Sequence, residues 1–449
     1  MQKMNLRQLQ NLALFGMGTS VYQLSRFNHM DLGTEPNQWD LSIRNQKIPP
    51  PNNRLSPWET LEKYLPILQN MGIKHLRFSV EWNFIEPQAG QFNQKAIRQY
   101  QKILEKCLAH EIEPMLTLYH FTQPKWFQEQ GGFLKSENSR YFVRYGEKVI
   151  DELKPFVKMW CTINEPAVEV FSGYLYGQFP PHQRIRLSKA AHILKNMLYA
   201  HVELCHHVDK KYPHENLKMG LVHNILRFES PSLLIKKFIT DPLTHFTDEL
   251  IREFISTGHF KYQGVNYYDE RFKGNCCFVN IYGSVQIGYL GPQCQKHQKM
   301  GDMYIAIYPE SYNLALEKAA QFDMPIYITE TGIADQHDVI RPDFIIHFIR
   351  SVVKQVRLGQ DIQRIYFWTF KDNYEWNEGH EKQFGFFNQE DIPRNSAYLL
   401  AWVMKQFQEI TEQQKDPEQI ILQWLQVLDQ AEQKIQENQL DYFSKIIKL

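Results

Sequence analysis

Apolar positions along the chain fall into two alternating rhythms. Short runs rich in β-branched and aromatic residues, the pattern of buried strands, occur at Leu12 to Ser20, His75 to Trp82, Glu113 to Phe121, Lys158 to Pro166, Lys218 to Asn224, Tyr262 to Tyr268, Pro325 to Gly332 and Ile362 to Phe370. Helical spacing dominates between most of them, over Pro57 to Met71, Gln94 to His110, Ser139 to Leu153, Leu187 to Tyr212, Tyr308 to Phe322 and Arg341 to Arg357. Strand–helix alternation repeated in this way predicts an α/β fold with a parallel sheet. Eight such units predict a closed (β/α)8 TIM barrel, because closure removes the sheet edges.

The barrel is expected to fill residues 1–406 as one domain, followed by a Gln-rich helical extension over 407–449. Asp416, Pro417 and Gln419 resemble an N-cap, a first-turn proline and the third residue of a capping box. Ile421, Trp424, Leu425, Leu428, Ala431 and Ile435 then share one helical face. That stripe is expected to pack back on the barrel, the alternative use being a homo-oligomer contact.

Composition narrows the partners. Of 449 residues 43% are hydrophobic, and 50 Lys+Arg balance 50 Asp+Glu to a formal net charge of zero. Such a chain supports a large core and has no overall field to draw in nucleic acid or a membrane surface, so a neutral small molecule is the expected ligand. No apolar run approaches the roughly 18 residues needed to cross a bilayer, and Met1 to Gln10 lacks a signal-peptide core, so a cytoplasmic protein is expected. The six cysteines, Cys107, Cys161, Cys205, Cys276, Cys277 and Cys294, form no CxxC pair and no zinc-ligand spacing, which predicts free thiols and no metal site.

In a TIM barrel the chemistry sits at the carboxyl ends of the strands. Polar residues gather there: His120 at the end of the third run, Asn164 and Glu165 at the end of the fourth, Asn266 and Tyr268 at the end of the sixth, and Glu330 at the end of the seventh. Two glutamates on strands four and seven can face each other across the axis, as glycoside hydrolysis requires. One carboxyl protonates the leaving oxygen while the other attacks carbon or activates water.

The motifs around these residues closely resemble glycoside hydrolase family 1, the retaining β-glucosidases and β-galactosidases. The match runs from about Phe15 to Trp402. It is carried by Gly18-Thr19-Ser20-Val21-Tyr22-Gln23, Trp39-Asp40, Arg77-Phe78-Ser79-Val80-Glu81-Trp82, Leu118-Tyr119-His120, Asn164-Glu165-Pro166, Gly264-Val265-Asn266-Tyr267-Tyr268, Ile328-Thr329-Glu330, and Trp368 with Asp372-Asn373-Tyr374-Glu375-Trp376. The resemblance implies that Glu165 is the acid/base and Glu330 the nucleophile, with Arg77, Tyr268 and Asn266 supporting Glu330. It implies that Gln23, His120, Asn164, Glu375 and Trp376 bind sugar hydroxyls, that Trp368 is the platform under the ring, and that Phe384 closes the wall beside O6. No cofactor is implied.

Glu375 bears on the substrate. Family members that act on 6-phosphorylated sugars lack this acid and supply a Ser and a Lys, whereas no Ser occurs from Asp372 to Gly385, although Lys382 is present. An unphosphorylated β-D-glucoside is therefore expected, with galactosides or fucosides close behind. A transglycosidase using the same site and a non-catalytic glycan-binding barrel are the alternatives. Departures from the family pattern occur at Leu24-Ser25-Arg26, at Phe121-Thr122, at Thr331 and at Gln383.

Overall fold

A computed structural model describes residues 5–449 except 29, 34, 273 and 295–297. Part of the Met1 to Gln10 segment therefore lies outside the described residues. Eight parallel strands close into a barrel: β1 (Gly16–Gly18), β2 (His75–Ser79), β3 (Glu113–Tyr119), β4 (Met159–Asn164), β5 (Lys218–Asn224), β6 (Cys277–Asn280), β7 (Ile326–Thr331) and β8 (Ile362–Trp368). They follow one another around the barrel in chain order, and β1 closes it by pairing β2 through Gly16↔His75 and β8 through Gly16↔Tyr366. A side chain at Gly16 would put its Cβ 2.6 Å from the Tyr366 ring, so closure there needs glycine.

Nearly every strand residue is buried, as expected of a sheet covered by helices outside and filled by side chains within. Met115, Met159, Cys161, Val222, Phe278, Tyr327 and Tyr366 pack together in the barrel interior. The outer helices match the periodic segments closely, Ser139–Leu153 and Arg341–Arg357 to the residue. Local chemistry starts others: Pro57–Asn70 opens with Ser56 and Glu59 in a reciprocal capping box and Pro57 in its first turn.

The sixth strand is not where the pattern put it. Val265–Tyr268 pairs antiparallel with His259–Tyr262 in a separate hairpin, and the barrel strand is Cys277–Asn280, near the start of the segment from Cys276 to Met300 that follows. Residues 295–297 of that segment lie outside the described residues. The hairpin turns at Gln263 and Gly264, both at positive φ (48° and 79°), the geometry that two-residue hairpin loops require.

At the carboxyl end the helix Asn395–Gln413 runs across residue 406, and Pro417–Gln436 folds back beside it. Asp416 caps the second helix by accepting from the Glu418 amide at 3.1 Å. Its apolar stripe is spent within the chain: Trp424 stacks on Phe407 with centroids 4.3 Å apart and donates Nε1 to the Phe407 carbonyl at 3.2 Å. Arg350 pairs with Asp429 at 2.6 Å and with Glu432 at 2.5 Å, tying this helix to Arg341–Arg357.

Candidate active site

β4 and β7 deliver the two glutamates. Glu165 leaves β4 in the left-handed region (φ 41°, ψ 58°), held by its amide on the Val222 carbonyl at 3.0 Å, and Pro166 then starts the next helix. That turn carries the carboxyl of Glu165 back over the strand ends, where Asn280 Nδ2 donates to its Oε1 at 2.7 Å. Burial, followed by the negative charge of Glu330, pushes the Glu165 carboxyl up to about 8.

Glu330 is held from two sides. Arg77 Nη1 donates to Oε1, and the Tyr282 hydroxyl donates to Oε2 at 2.7 Å. Arg77 is fully buried and committed throughout, with Nε on Thr117 Oγ1 at 3.0 Å, Nη1 also on the Thr329 carbonyl at 3.3 Å and Nη2 on Asn164 Oδ1 at 2.7 Å. A buried guanidinium with a carboxylate partner and satisfied donors is the arrangement that keeps such a charge tolerable.

Asn280 is fixed at both ends of its amide. Thr329 Oγ1 donates to its Oδ1 at 2.7 Å, which turns Nδ2 toward Glu165 and, at 3.3 Å, toward Asn164 Oδ1. Asn164 thus accepts on its oxygen from both Arg77 and Asn280, leaving its own amide N–H groups to donate elsewhere.

A cavity of about 230 Å³ opens over these groups, lined by His120, Glu165, Glu330, Trp368, Glu375, Trp376 and Phe384. His120 lies parallel to Trp368 and Trp376, with centroids 5.7 and 6.0 Å away. Gln23 Nε2 donates to Glu375 Oε2 at 3.1 Å. Burial, then the charge of Glu330, pushes Glu375 up to about 8. Among the described residues Gln23 Oε1 and His120 Nδ1 are buried without a protein partner. Toward the outside Val168, Phe179, Leu226, Met303 and Ile305 give the cavity an apolar wall.

Ten of the twelve expected site residues meet here; Asn266 and Tyr268 do not. Both lie on the exposed hairpin, where Tyr268 is 57% exposed and stacks on His259 at 4.4 Å. Asn280 and Tyr282 stand in the positions expected of them. The signal that distinguishes the two segments is burial pattern. Cys276-Cys277-Phe278-Val279 is a continuous apolar run of the kind a barrel strand needs, whereas Tyr262 to Tyr268 is partly exposed and broken by Gln263-Gly264.

Glu81 also positions the site without facing it. Its Oε1 accepts from the Tyr22 amide at 3.2 Å and Ser79 Oγ at 2.7 Å, and its Oε2 accepts from Thr122 Oγ1 at 2.7 Å, bracing the loops that carry Gln23 and His120. The departures from the family pattern have local uses. Phe121 sits at φ 63° with its carbonyl accepting from Trp39 Nε1 at 2.6 Å, Gln383 Oε1 accepts from Arg394 at 2.6 Å, and Arg26 pairs with Asp31 at 2.8 Å.

A barrel with paired carboxyls above its fourth and seventh strands defines a class of sugar-cleaving enzymes, and the relatives agree. The family model Glycosyl hydrolase family 1 matches residues 7–238 and 241–413. The chain belongs to that family and is a β-glycosidase of it. It is 25% identical to 6-phospho-beta-galactosidase 1 of Streptococcus pneumoniae over 86% of this chain and 95% of that protein. It is 26% identical to beta-glucosidase A of Thermotoga maritima, over 76% and 84% respectively. The solved beta-glycosidase from Pyrococcus horikoshii superposes with a TM-score of 0.76 at 30% identity, covering 87% of this chain and 93% of that one. No helix of the described residues is long and apolar enough to cross a membrane.

Proposed function

We propose that this chain hydrolyses unphosphorylated β-D-glucosides, with galactosides or fucosides as further substrates, by a retaining two-step mechanism. Glu330 attacks the anomeric carbon while Glu165 protonates the departing oxygen, forming a covalent glycosyl-enzyme. Water activated by Glu165 then releases the sugar with its original anomeric configuration. The raised pKa of Glu165, about 8, suits an acid at neutral pH. Esterification of Glu330 removes the neighbouring negative charge that helps keep Glu165 protonated, so the same carboxyl becomes a base for the second step. Arg77 and Tyr282 aim the nucleophile and stabilise its charge, and Asn280 holds Glu165.

Asn164, with its amide N–H groups free, donates to the 2-hydroxyl as the oxocarbenium-like transition state develops. His120 and Gln23 keep buried polar atoms for the other hydroxyls, and the sugar face lies on Trp368. The free thiols support a reducing, cytoplasmic setting.

The observation that carries the glycone assignment is the lack of a cation in the cavity wall among its described lining residues. The wall includes Glu165, Glu330 and Glu375 and, among the described lining residues, no Lys or Arg, while Arg77 beneath it is committed to Glu330. A charged 6-phosphate would enter this buried pocket with no cation to meet it. Relatives named as 6-phospho enzymes make phosphorylated substrates the reading to test against. The measurement is the ratio of kcat/KM for neutral and 6-phosphorylated nitrophenyl β-glucosides in the native protein and in Glu375→Ser. The native protein is expected to prefer the neutral sugar strongly and the variant to lose that preference. A native preference for the phosphorylated substrate overturns the assignment.

A further inference from the structure

The glycone residues and the apolar wall of the cavity come from different sectors of the barrel. Gln23 follows β1, His120 follows β3, and Trp368, Glu375, Trp376 and Phe384 belong to β8 and the segment after it. Val168 and Phe179 follow β4, Leu226 follows β5, and Met303 and Ile305 follow β6. These three strands are consecutive neighbours in the barrel, and Glu165 stands at the end of the first of them. Glu165 protonates the departing oxygen, so the leaving group lies on its side of the anomeric carbon. The apolar sector is therefore the seat of the aglycone, a placement that rests on the mechanism proposed above.

The side chains of this sector keep apolar surface that the interior does not use. Val168, Leu226, Met303 and Ile305 are each half-buried, and Leu226 and Ile305 join no hydrophobic cluster of the interior. Phe179 is fixed by ring contacts with Trp39 at 4.8 Å and Phe121 at 5.7 Å. Besides Glu165, the polar residues that line the cavity from this sector are Ser172, Gln178, Asn224 and Tyr282, and the Tyr282 hydroxyl is committed to Glu330. Asn224 Oδ1 is a buried acceptor without a protein partner among the described residues. Asn377 and Glu378 reach the cavity from the segment after β8 and bond to each other at 2.7 Å. A sugar in the aglycone position would turn hydroxyls against this wall on every side, and each one left unmet costs a hydrogen bond to water. An alkyl or aryl group carries no such cost and is favoured by leaving water.

We propose that this wall selects β-glycosides with an apolar alkyl or aryl aglycone over disaccharides, and that Leu226 and Ile305 set the preference.

The test is kcat/KM for methyl, n-butyl and n-hexyl β-glycosides, with the 1,4-linked disaccharide alongside. The series is built on the sugar, neutral or 6-phosphorylated, that the nitrophenyl comparison shows to be preferred, so an error in the glycone assignment leaves the aglycone result readable. The leaving alcohols are nearly equal in acidity, so the chemical demand is constant and the slope along the series reports contact with the wall. A methylene wholly removed from water is worth about fourfold, and the native protein is expected to rise about threefold per methylene. The n-hexyl glycoside should then exceed the disaccharide by about tenfold or more. Leu226→Asn with Ile305→Asn is expected to reduce the rise to about 1.5-fold per methylene or less, and Met303→Gln alone to reduce it by a smaller amount. Because the slope is a ratio within one protein, a general loss of activity in a variant does not move it. A flat native series, a disaccharide preferred over the n-hexyl glycoside, or a native slope retained in the variants overturns the proposal. The anomer first released from the same substrates, read by NMR, reports separately on the retaining mechanism.

Discussion

Tyr282→Phe and Tyr268→Phe are the sharpest pair of perturbations the site offers, because the two tyrosines occupy similar motifs and different places. The Tyr282 hydroxyl donates to Glu330 Oε2 at 2.7 Å beside a fully buried Arg77. A hydrogen bond to a charged group in such surroundings is worth about 1.5–3 kcal/mol. Loss of that hydroxyl therefore lowers kcat/KM by roughly 10- to 150-fold. Tyr268 is 57% exposed and touches His259, so removing its hydroxyl changes stability and activity by less than about 0.5 kcal/mol. The assay is steady-state kinetics on the best nitrophenyl glycoside, with thermal melts to show that both variants fold. Equal losses in the two variants, or a loss confined to Tyr268→Phe, would refute the assignment of β6 to Cys277–Asn280 as the strand that serves the nucleophile.

Three further outcomes follow from other parts of the molecule. Glu165→Ala is expected to retain slow glycosylation with a dinitrophenyl leaving group and to be rescued by azide as the β-glycosyl azide, while Glu330→Ala gains no such product; the reverse pattern, read by NMR, exchanges the two roles. Glu375, pushed up to about 8 by burial and by Glu330, stays protonated in the folded protein while it ionises near its ordinary value in the unfolded chain. Its contribution is fully present below pH 4.5 and is lost as pH rises through about 8, so Glu375→Gln should gain on the native protein, by roughly 3 kcal/mol at pH 7, when their melts are compared across that range; a pH-independent difference would contradict this. Trp424→Ala, deleting a buried ring stacked on Phe407, is expected to cost about 3–5 kcal/mol in denaturant unfolding without altering KM, and a separate early transition would show instead that the terminal helix unfolds on its own.

Much of this architecture was legible in the chain because a parallel barrel writes its strands as nearly unbroken apolar runs and its helices as stripes. Ser139–Leu153 and Lys218–Asn224 follow the pattern to the residue. The sixth strand did not, and the reason is physical. Asn266-Tyr267-Tyr268 carries the amide and aromatic side chains expected at a barrel rim, but a two-residue turn at Gln263-Gly264 folds it into a hairpin that faces solvent. The true strand is only four residues long, Cys277–Asn280, so periodicity alone gives it little weight. Glu165 and Glu330 were legible from their strands, whereas the bracing by Asn280, Tyr282 and Glu81 depends on three-dimensional neighbours that no spacing records.

The seam between β1 and β8 sets a timetable for the nascent chain. β1 is only three residues long and its partner Trp368 on the far side lies 350 residues downstream of Gly18 (368 − 18). At about 5–20 residues per second, synthesis leaves that seam open for roughly 20–70 s. During this interval β1 can lean on β2, but the eighth strand that completes its hydrogen bonding does not yet exist. An interrupted translation product ending before Ile362 would carry an unsealed sheet with two free edges, the template on which strands of other molecules add. The last strand is thus the step that converts an association-prone intermediate into an edgeless one, and lesions in Ile362–Trp368 should show first as poor recovery of folded protein rather than as altered kinetics.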